Sequence, residues 1–207
     1  MYRQKVKKIL DLLEQEYPDA ECALDHSNPF ELIVAVALSA QTTDKSVNKV
    51  TPQLFAAYPD AYQLADADEE EVSKLLKSIG MYKTKAKNIV AMSKQLVDKH
   101  QGKVPKDYES LVELPGVGRK TANVVMSVGF GIPAIAVDTH VFRVANRIGL
   151  VHQDNVLKTE LSLMETIPKK RWSRTHHSLI FHGRRCCIAR GPRCHQCVIQ
   201  KLCEKNL

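Results

Sequence analysis

Four of the six cysteines crowd into the last part of the chain, Cys187, Cys194, Cys197 and Cys203, with six, two and five residues between successive sulfurs. Thiolates this close in sequence imply a metal or iron–sulfur centre around which the end of the chain must wrap. Structural zinc sites usually show two short Cys-x2-Cys knuckles, and only Cys194 and Cys197 form one here, so spacing alone leaves the metal open. His195 sits beside two of these cysteines, but a fifth ligand is unnecessary. The other two cysteines are Cys22 and Cys186.

The remaining composition is that of an ordinary globular protein. With 207 residues, 44% hydrophobic and 26% charged, the chain can bury one substantial core or two smaller ones, which excludes a disordered or fibrous protein. A net charge of +7 favours a polyanionic partner, since each phosphate neutralised by Lys or Arg releases counterions. The N-terminus, Met1 to Lys8, lacks the apolar stretch of a signal peptide, and no segment approaches the ~20 apolar residues needed to cross a bilayer. The expectation is a monomeric cytoplasmic protein with no membrane contact, nucleoid-associated if bacterial. In that reducing compartment cysteines serve as metal ligands rather than disulfides.

Hydrophobic periodicity is mostly helical. Val6, Ile9, Leu10, Leu12 and Leu13 recur at spacings of three and four, so residues 2 to 16 read as an amphipathic helix ending before Pro18. Asn28-Pro29 is a cap followed by proline at the first helical position and opens the apolar run from Phe30 to Leu38, which also alternates enough for a buried strand. Thr43 or Asp44 can cap the next helix, which Pro52 restarts or kinks. Asp68-Glu69-Glu70-Glu71 places acids in a first turn, and Gly80 suits the end of that helix. Residues 83 to 99, 119 to 129, 139 to 148, 155 to 165 and 172 to 186 also fit helices, while Ala134 to Val137, after Pro133, looks extended.

The chain also carries a weak internal echo, for which two unrelated helical hairpins sharing common residue types are the equal alternative. Aligning Lys85 with Lys120 pairs Leu76-Lys77-Ser78-Ile79-Gly80 and Lys85 to Val90 with Leu111 to Gly116 and Lys120 to Val125, one residue being inserted between. Both segments read as helix, glycine turn, helix.

In Leu114-Pro115-Gly116-Val117-Gly118-Arg119-Lys120-Thr121-Ala122, two glycines let the backbone turn tightly and approach an anion without a Cβ in the way. A helix starting near Arg119 would point its unpaired amides at a phosphate, and Arg119 and Lys120 add full charges. The pattern is neither a dinucleotide fingerprint nor a P-loop, because no strand precedes it and the third glycine is missing. Asp138 follows Lys120 by eighteen residues and also suits a helix N-cap.

The hairpin, Lys120, Asp138 and the six-two-five cysteine spacing resemble the endonuclease III family of helix-hairpin-helix DNA glycosylases. The resemblance runs from Ser39-Ala40-Gln41-Thr42-Thr43-Asp44 through Val137-Asp138-Thr139-His140-Val141 to Cys203. It implies an all-α, two-lobed fold with a C-terminal iron–sulfur cluster loop. Residues 22–132 would form a central lobe carrying the helix-hairpin-helix motif at about 108–129. Residues 1–21 and 133–207 would form a second lobe uniting both termini, with the active site in the cleft between the two.

The implied activity is base excision from duplex DNA: removal of oxidised pyrimidines such as thymine glycol, then strand cleavage at the abasic site by its lyase activity. Lys120 would be the nucleophile, made less basic than the ordinary ~10.4 by partial burial, a helix N-terminus and Arg119. Asp138 would stabilise charge on the sugar or move protons. The resemblance selects a [4Fe–4S] cluster on Cys187, Cys194, Cys197 and Cys203, with Cys187 rather than Cys186 preserving the six-residue gap. Arg190 and Arg193, on the loop between the first two ligands, would clamp a second phosphate. Gln41 would fill the gap left by an extruded nucleotide and Met81 would act as an apolar wedge, core packing being the other reading of Met81. Gly116, Val117, Gly118, Arg119 and Thr121 would meet the DNA backbone, with His140 the histidine nearest the chemistry. His176, His177 and His182 read as packing or phosphate contacts. An adenine-specific mismatch glycosylase is the nearest alternative, disfavoured by the presence of Lys120 and by a chain that stops at Leu207. A non-catalytic iron–sulfur DNA-binding module is the alternative from another class.

Overall fold

The computed structural model describes residues 2–205; Met1, Asn206 and Leu207, at the ends of the predicted second lobe, lie outside them. Every regular element among the described residues is helical, and no helix is long and apolar enough to cross a membrane. The chain divides into two compact units, Met1–Glu21 with Pro133–Leu207, and Cys22–Ile132.

Helix α1 (Tyr2–Glu16) buries Val6, Ile9, Leu10 and Leu13, the stripe its three- and four-residue spacing lays on one face. The chain then passes into the 22–132 unit.

Helix α2 (Pro29–Leu38) starts where the sequence places a cap: Asn28 Oδ1 accepts the Glu31 amide at 3.0 Å and Pro29 opens the first turn. Phe30 and every residue from Leu32 to Leu38 are buried, which is why its pattern lacks an amphipathic stripe: a helix covered on all sides needs no polar face. Helices α3 (Asp44–Ala57), α6 (Tyr82–His100) and α8 (Arg119–Val124) pack against it. Pro52 neither restarts nor ends α3. It stands exposed inside the helix, costing one amide bond, while Val47, Val50, Thr51 and Leu54 on the same helix are buried and hold the turns together.

Two short helices, α4 (Ala61–Ala65) and α5 (Glu69–Leu75), lie on α6, and α7 (Tyr108–Val112) leads into α8, which widens into a π-helical turn over Val125–Gly129. Gly80 does not end the acid-capped helix as its sequence suggests. Helix α5 stops at Leu75, turns carry the chain onward, and the left-handed residue is Met81, with φ of 57°.

The other unit is completed by α9 (Thr139–Ile148), α10 (Val156–Thr166) and α11 (Trp172–Arg185). Helices α1 and α9 pack on α11, sealing a core that includes Leu10, Leu13, Val141, Val144, Ile148, Leu163, Leu179 and Ile199. Charge helps hold the N-terminal segment in place. The Arg171 guanidinium, only 16% exposed, meets Asp11 at 2.7 Å and Glu14 at 2.7 Å, and Arg174 donates to the carbonyls of Tyr17 and Ala20. Ala134–Val137 is buried without pairing as a strand, and the Ala136 carbonyl lies 2.6 Å from His176 Nδ1.

Candidate functional site

The hairpin is held from within by two apolar side chains. Leu114 and Val117 are buried on either side of the turn, and the Val117 amide donates to the Leu114 carbonyl at 3.0 Å. Its two glycines are present for different reasons. Gly116 has φ of +78° and a Cβ there would come within 3.1 Å of Asn88 Cβ, so both the backbone and α6 demand glycine. Gly118 has an ordinary φ of −96° at the N-cap of α8, and a Cβ there would meet nothing within 4 Å. The fold leaves that space open, and no side chain caps the α8 amides.

Arg119 and Lys120 are exposed and Thr121 is half-buried. The Arg119 guanidinium lies 5.3 Å over the Tyr108 ring and donates to its hydroxyl at 3.2 Å, so the cation is steadied against α7. The partial burial expected for Lys120 is not seen. The buried lysine of this unit is Lys85, 6% exposed, whose Nζ donates to Thr42 Oγ1 at 2.5 Å and whose pKa burial pushes down.

Gln41 and Met81 share an uncommon feature: both are non-glycine residues in the left-handed region, with φ of 53° and 57°, and both are exposed. Such positions cost on the order of 1–3 kcal/mol and persist where the surroundings impose them. Met81, 56% exposed, is not a core residue, which removes the packing alternative.

In the other unit Asp138 follows the buried Ala134–Val137 segment and caps α9, its Oδ1 accepting the Val141 amide at 2.8 Å. The carboxylate is half-buried. His140, the second residue of α9, lies 3.3 Å through Nδ1 from Arg143 Nη2, and burial lowers its pKa.

Cys187, Cys194, Cys197 and Cys203 line one pocket, together with Cys186, His182, Arg147 and Lys205. Two arginines spaced four apart on α9 brace the first ligand strand. Arg143 donates to the Cys187 and Gly183 carbonyls, and Arg147 donates to those of Ile188 and Ala189 at 2.8 and 3.0 Å. Arg147 Nη1 also lies 3.9 Å from Cys187 Sγ, and the Lys205 amide donates to Cys203 Sγ at 3.3 Å. Four cysteines lining one pocket, with N–H donors aimed at the sulfurs of two of them, suit thiolates bound to a metal or iron–sulfur group. Burial raises the Cys197 and Cys203 thiols, so it disfavours the thiolate form of these two.

Between the first two ligands, Arg190 and Arg193 are exposed on a loop that turns at Gly191, φ +69°, and closes through the Arg193 amide on the Cys186 carbonyl at 3.0 Å. His182 is the residue that sequence spacing missed. Its buried ring lies in the wall of the pocket, and its Nε2 is within 4.8 Å of the sulfurs of both Cys186 and Cys197. Its position on α11 five residues before Cys187 was the available signal. Burial drives its pKa down to about 4.

This chain is similar to proteins of one kind throughout its length. A model of the HhH-GPD superfamily base excision DNA repair proteins matches residues 34–169. Endonuclease III of Bacillus subtilis (strain 168) is 52% identical over 204 residues, covering 98% of this chain and 93% of the relative. The enzyme of the same name from Escherichia coli (strain K12) is 46% identical over 204 residues, with coverage of 99% and 97%. A solved structure of a trapped endonuclease III–DNA covalent intermediate, an estranged-adenine complex, gives a TM-score of 0.93 at 50% identity, covering 98% of this chain and 96% of the other. A non-covalent endonuclease III–DNA complex gives the same score and identity, covering 98% and 95%. With an all-helical fold, a glycine hairpin and a four-cysteine pocket joined to this similarity, the chain belongs to the HhH-GPD superfamily of base excision DNA repair proteins, in its endonuclease III family.

Proposed function

We propose that this base excision DNA glycosylase and abasic-site lyase removes oxidised pyrimidines, thymine glycol among them, with Lys120 as nucleophile and Asp138 as its carboxylate. The observation that carries the reading is the pairing of Gly118 with Lys120: an open space where a Cβ would stand, directly before an exposed amine in the first turn of α8. A phosphate can approach the backbone there, and the adjacent amine is free to reach the sugar.

The damaged base is stacked inside a duplex, so the nucleotide must leave the helix before C1′ can be attacked. The uncharged Lys120 Nζ then forms a bond to C1′ as the bond from C1′ to the base breaks. The ring opens to a protonated Schiff base, which acidifies the C2′ proton; loss of that proton expels the 3′ phosphate, and water releases the sugar from Lys120. Asp138 stabilises positive charge developing on the sugar and relays protons. Its cap bond to Val141 fixes the carboxylate while leaving one oxygen for the substrate.

Gln41 and Met81, exposed and left-handed, suit insertion into the gap that extrusion leaves. The hairpin backbone from Gly116 to Gly118, with Val117, Arg119 and Thr121, grips one strand, and His140 is assigned a further contact with the DNA. Cys187, Cys194, Cys197 and Cys203 hold a [4Fe–4S] cluster, which when bound cross-links the end of the chain and presents Arg190 and Arg193 to a second phosphate. Single-turnover cleavage of a panel of damaged duplexes tests the substrate class. Thymine glycol should be released with strand scission, whereas no scission by folded, metal-loaded protein would leave a DNA-binding module. Four irons and four sulfides per chain are expected, and stoichiometric zinc would reject the cluster.

A further inference from the structure

We propose that His182 is a positioning residue for the cysteine centre: its Nε2–H donates a hydrogen bond to Cys197 Sγ, and the Tyr17 hydroxyl holds the ring in the tautomer that makes this bond. The inference rests on the reading that the four cysteines hold a [4Fe–4S] cluster.

The geometry forms a closed line. Tyr17 and His182 are 3% and 1% exposed, Tyr17 Oη lies 2.9 Å from His182 Nδ1, and His182 Nε2 lies 3.7 Å from Cys197 Sγ. A cysteine bound to iron is a thiolate and can only accept, so the nitrogen facing it must carry a proton. A neutral imidazole with its proton on Nε2 presents a lone pair on Nδ1, and the Tyr17 O–H supplies the matching donor. Each polar atom along the line then has one partner of the correct kind, which a buried network requires.

His182 also acts through its backbone. Its carbonyl accepts the amides of Cys186 and Cys187 at 2.9 and 2.8 Å, so one residue fixes the main chain of the first ligand and faces the sulfur of the third. Tyr17 is itself anchored, its carbonyl accepting from Arg174 Nη2 at 2.7 Å and its ring lying 5.8 Å from that of His182. The segment after α1 thereby reaches the wall of the cysteine pocket through the Tyr17 hydroxyl and ring. A hydrogen bond to a ligating sulfur withdraws electron density from it and raises the reduction potential of an iron–sulfur group.

The test uses the full chain purified with its metal, after iron and sulfide are counted, in the unaltered protein and in Tyr17→Phe, His182→Leu and His182→Gln. Reduction potential, the iron–sulfur stretching frequencies in resonance Raman spectra, and nitrogen couplings from pulsed EPR of protein with ¹⁵N-labelled histidine are the readouts. His182→Leu should move the potential to more negative values and the stretching frequency upward. His182→Gln, whose amide N–H can reach the same sulfur, should restore most of both shifts, and Tyr17→Phe should move them the same way by less. The histidine coupling should be weak, as for a hydrogen-bonded nitrogen.

Unchanged potential and frequencies in cluster-loaded His182→Leu would overturn the inference alone. A strong coupling of a directly bonded nitrogen would do so as well, making His182 a ligand. An unaltered protein without a cluster would overturn both this and the metal reading. Should His182→Leu fail to fold, Tyr17→Phe decides, since it removes one oxygen and leaves the ring packing in place.

Discussion

Lys85 and Lys120 occupy matching places in two segments of similar sequence, each a few residues after a turn and in the first turns of a helix, yet the fold treats them in opposite ways. Lys85 is buried, bonded to Thr42, and its pKa is lowered by desolvation; Lys120 is exposed. The turns differ too. The first has its left-handed residue at the exposed Met81, the second at Gly116 pressed against Asn88, with open space at Gly118. The lysine that its own protein makes less basic is therefore the covered one, and of the two it is Lys120 that stands open to a ligand, the ground on which it is proposed as the nucleophile.

Lys120→Ala tests that contrast most severely: strand scission at an abasic site should be lost, while Lys85→Arg should retain it. Equal losses would erase the distinction. Asp138→Asn keeps an N-cap for α9, since asparagine caps as well as aspartate, so folding should persist while base removal slows by ~10²-fold or more. Unchanged single-turnover release of thymine glycol would remove Asp138 from the chemistry.

The glycines should separate by readout. Gly116→Ala forces a Cβ into the left-handed region and against Asn88, costing about 1–2 kcal/mol in denaturant unfolding. Gly118→Ala should leave stability unchanged and weaken DNA binding, and a stability loss at Gly118 would show that the open space is not kept for a ligand. Replacing Arg190 and Arg193 together should reduce the slope of log affinity against log salt by about 2, as two lost phosphate contacts require.

The smallest effect concerns Lys85. Because its folded-state pKa lies below 10.5, the unfolded chain holds more protons between the two values, and stability should climb with pH across that window. In Lys85→Met the climb should vanish, as read by urea unfolding at neutral and alkaline pH.

Local signals in the sequence located most helices, because caps such as Asn28 and Thr43 and the stripe in α1 act through neighbours in the chain. The family was legible for a related reason: hairpin, lysine, aspartate and cysteine spacing are all patterns in linear order. Burial was not. Whether Lys85 or Lys120 is covered depends on Thr42 and the helices around it, and nothing within either segment encodes that. The same limit hid His182, whose approach to Cys197 depends on how the chain after α11 folds back. Gly80 misled because glycine is permitted in a left-handed turn without being required there; the surrounding packing put that strain on Met81 instead.

The proposed chemistry requires one amine to form the covalent bond, and borohydride trapping of the metal-loaded protein on an abasic duplex, followed by peptide mapping of the adduct, tests this most directly. A single modified site at Lys120 is the predicted result. An adduct on any other residue, Lys85 included, or no adduct from protein that binds the duplex, would contradict it.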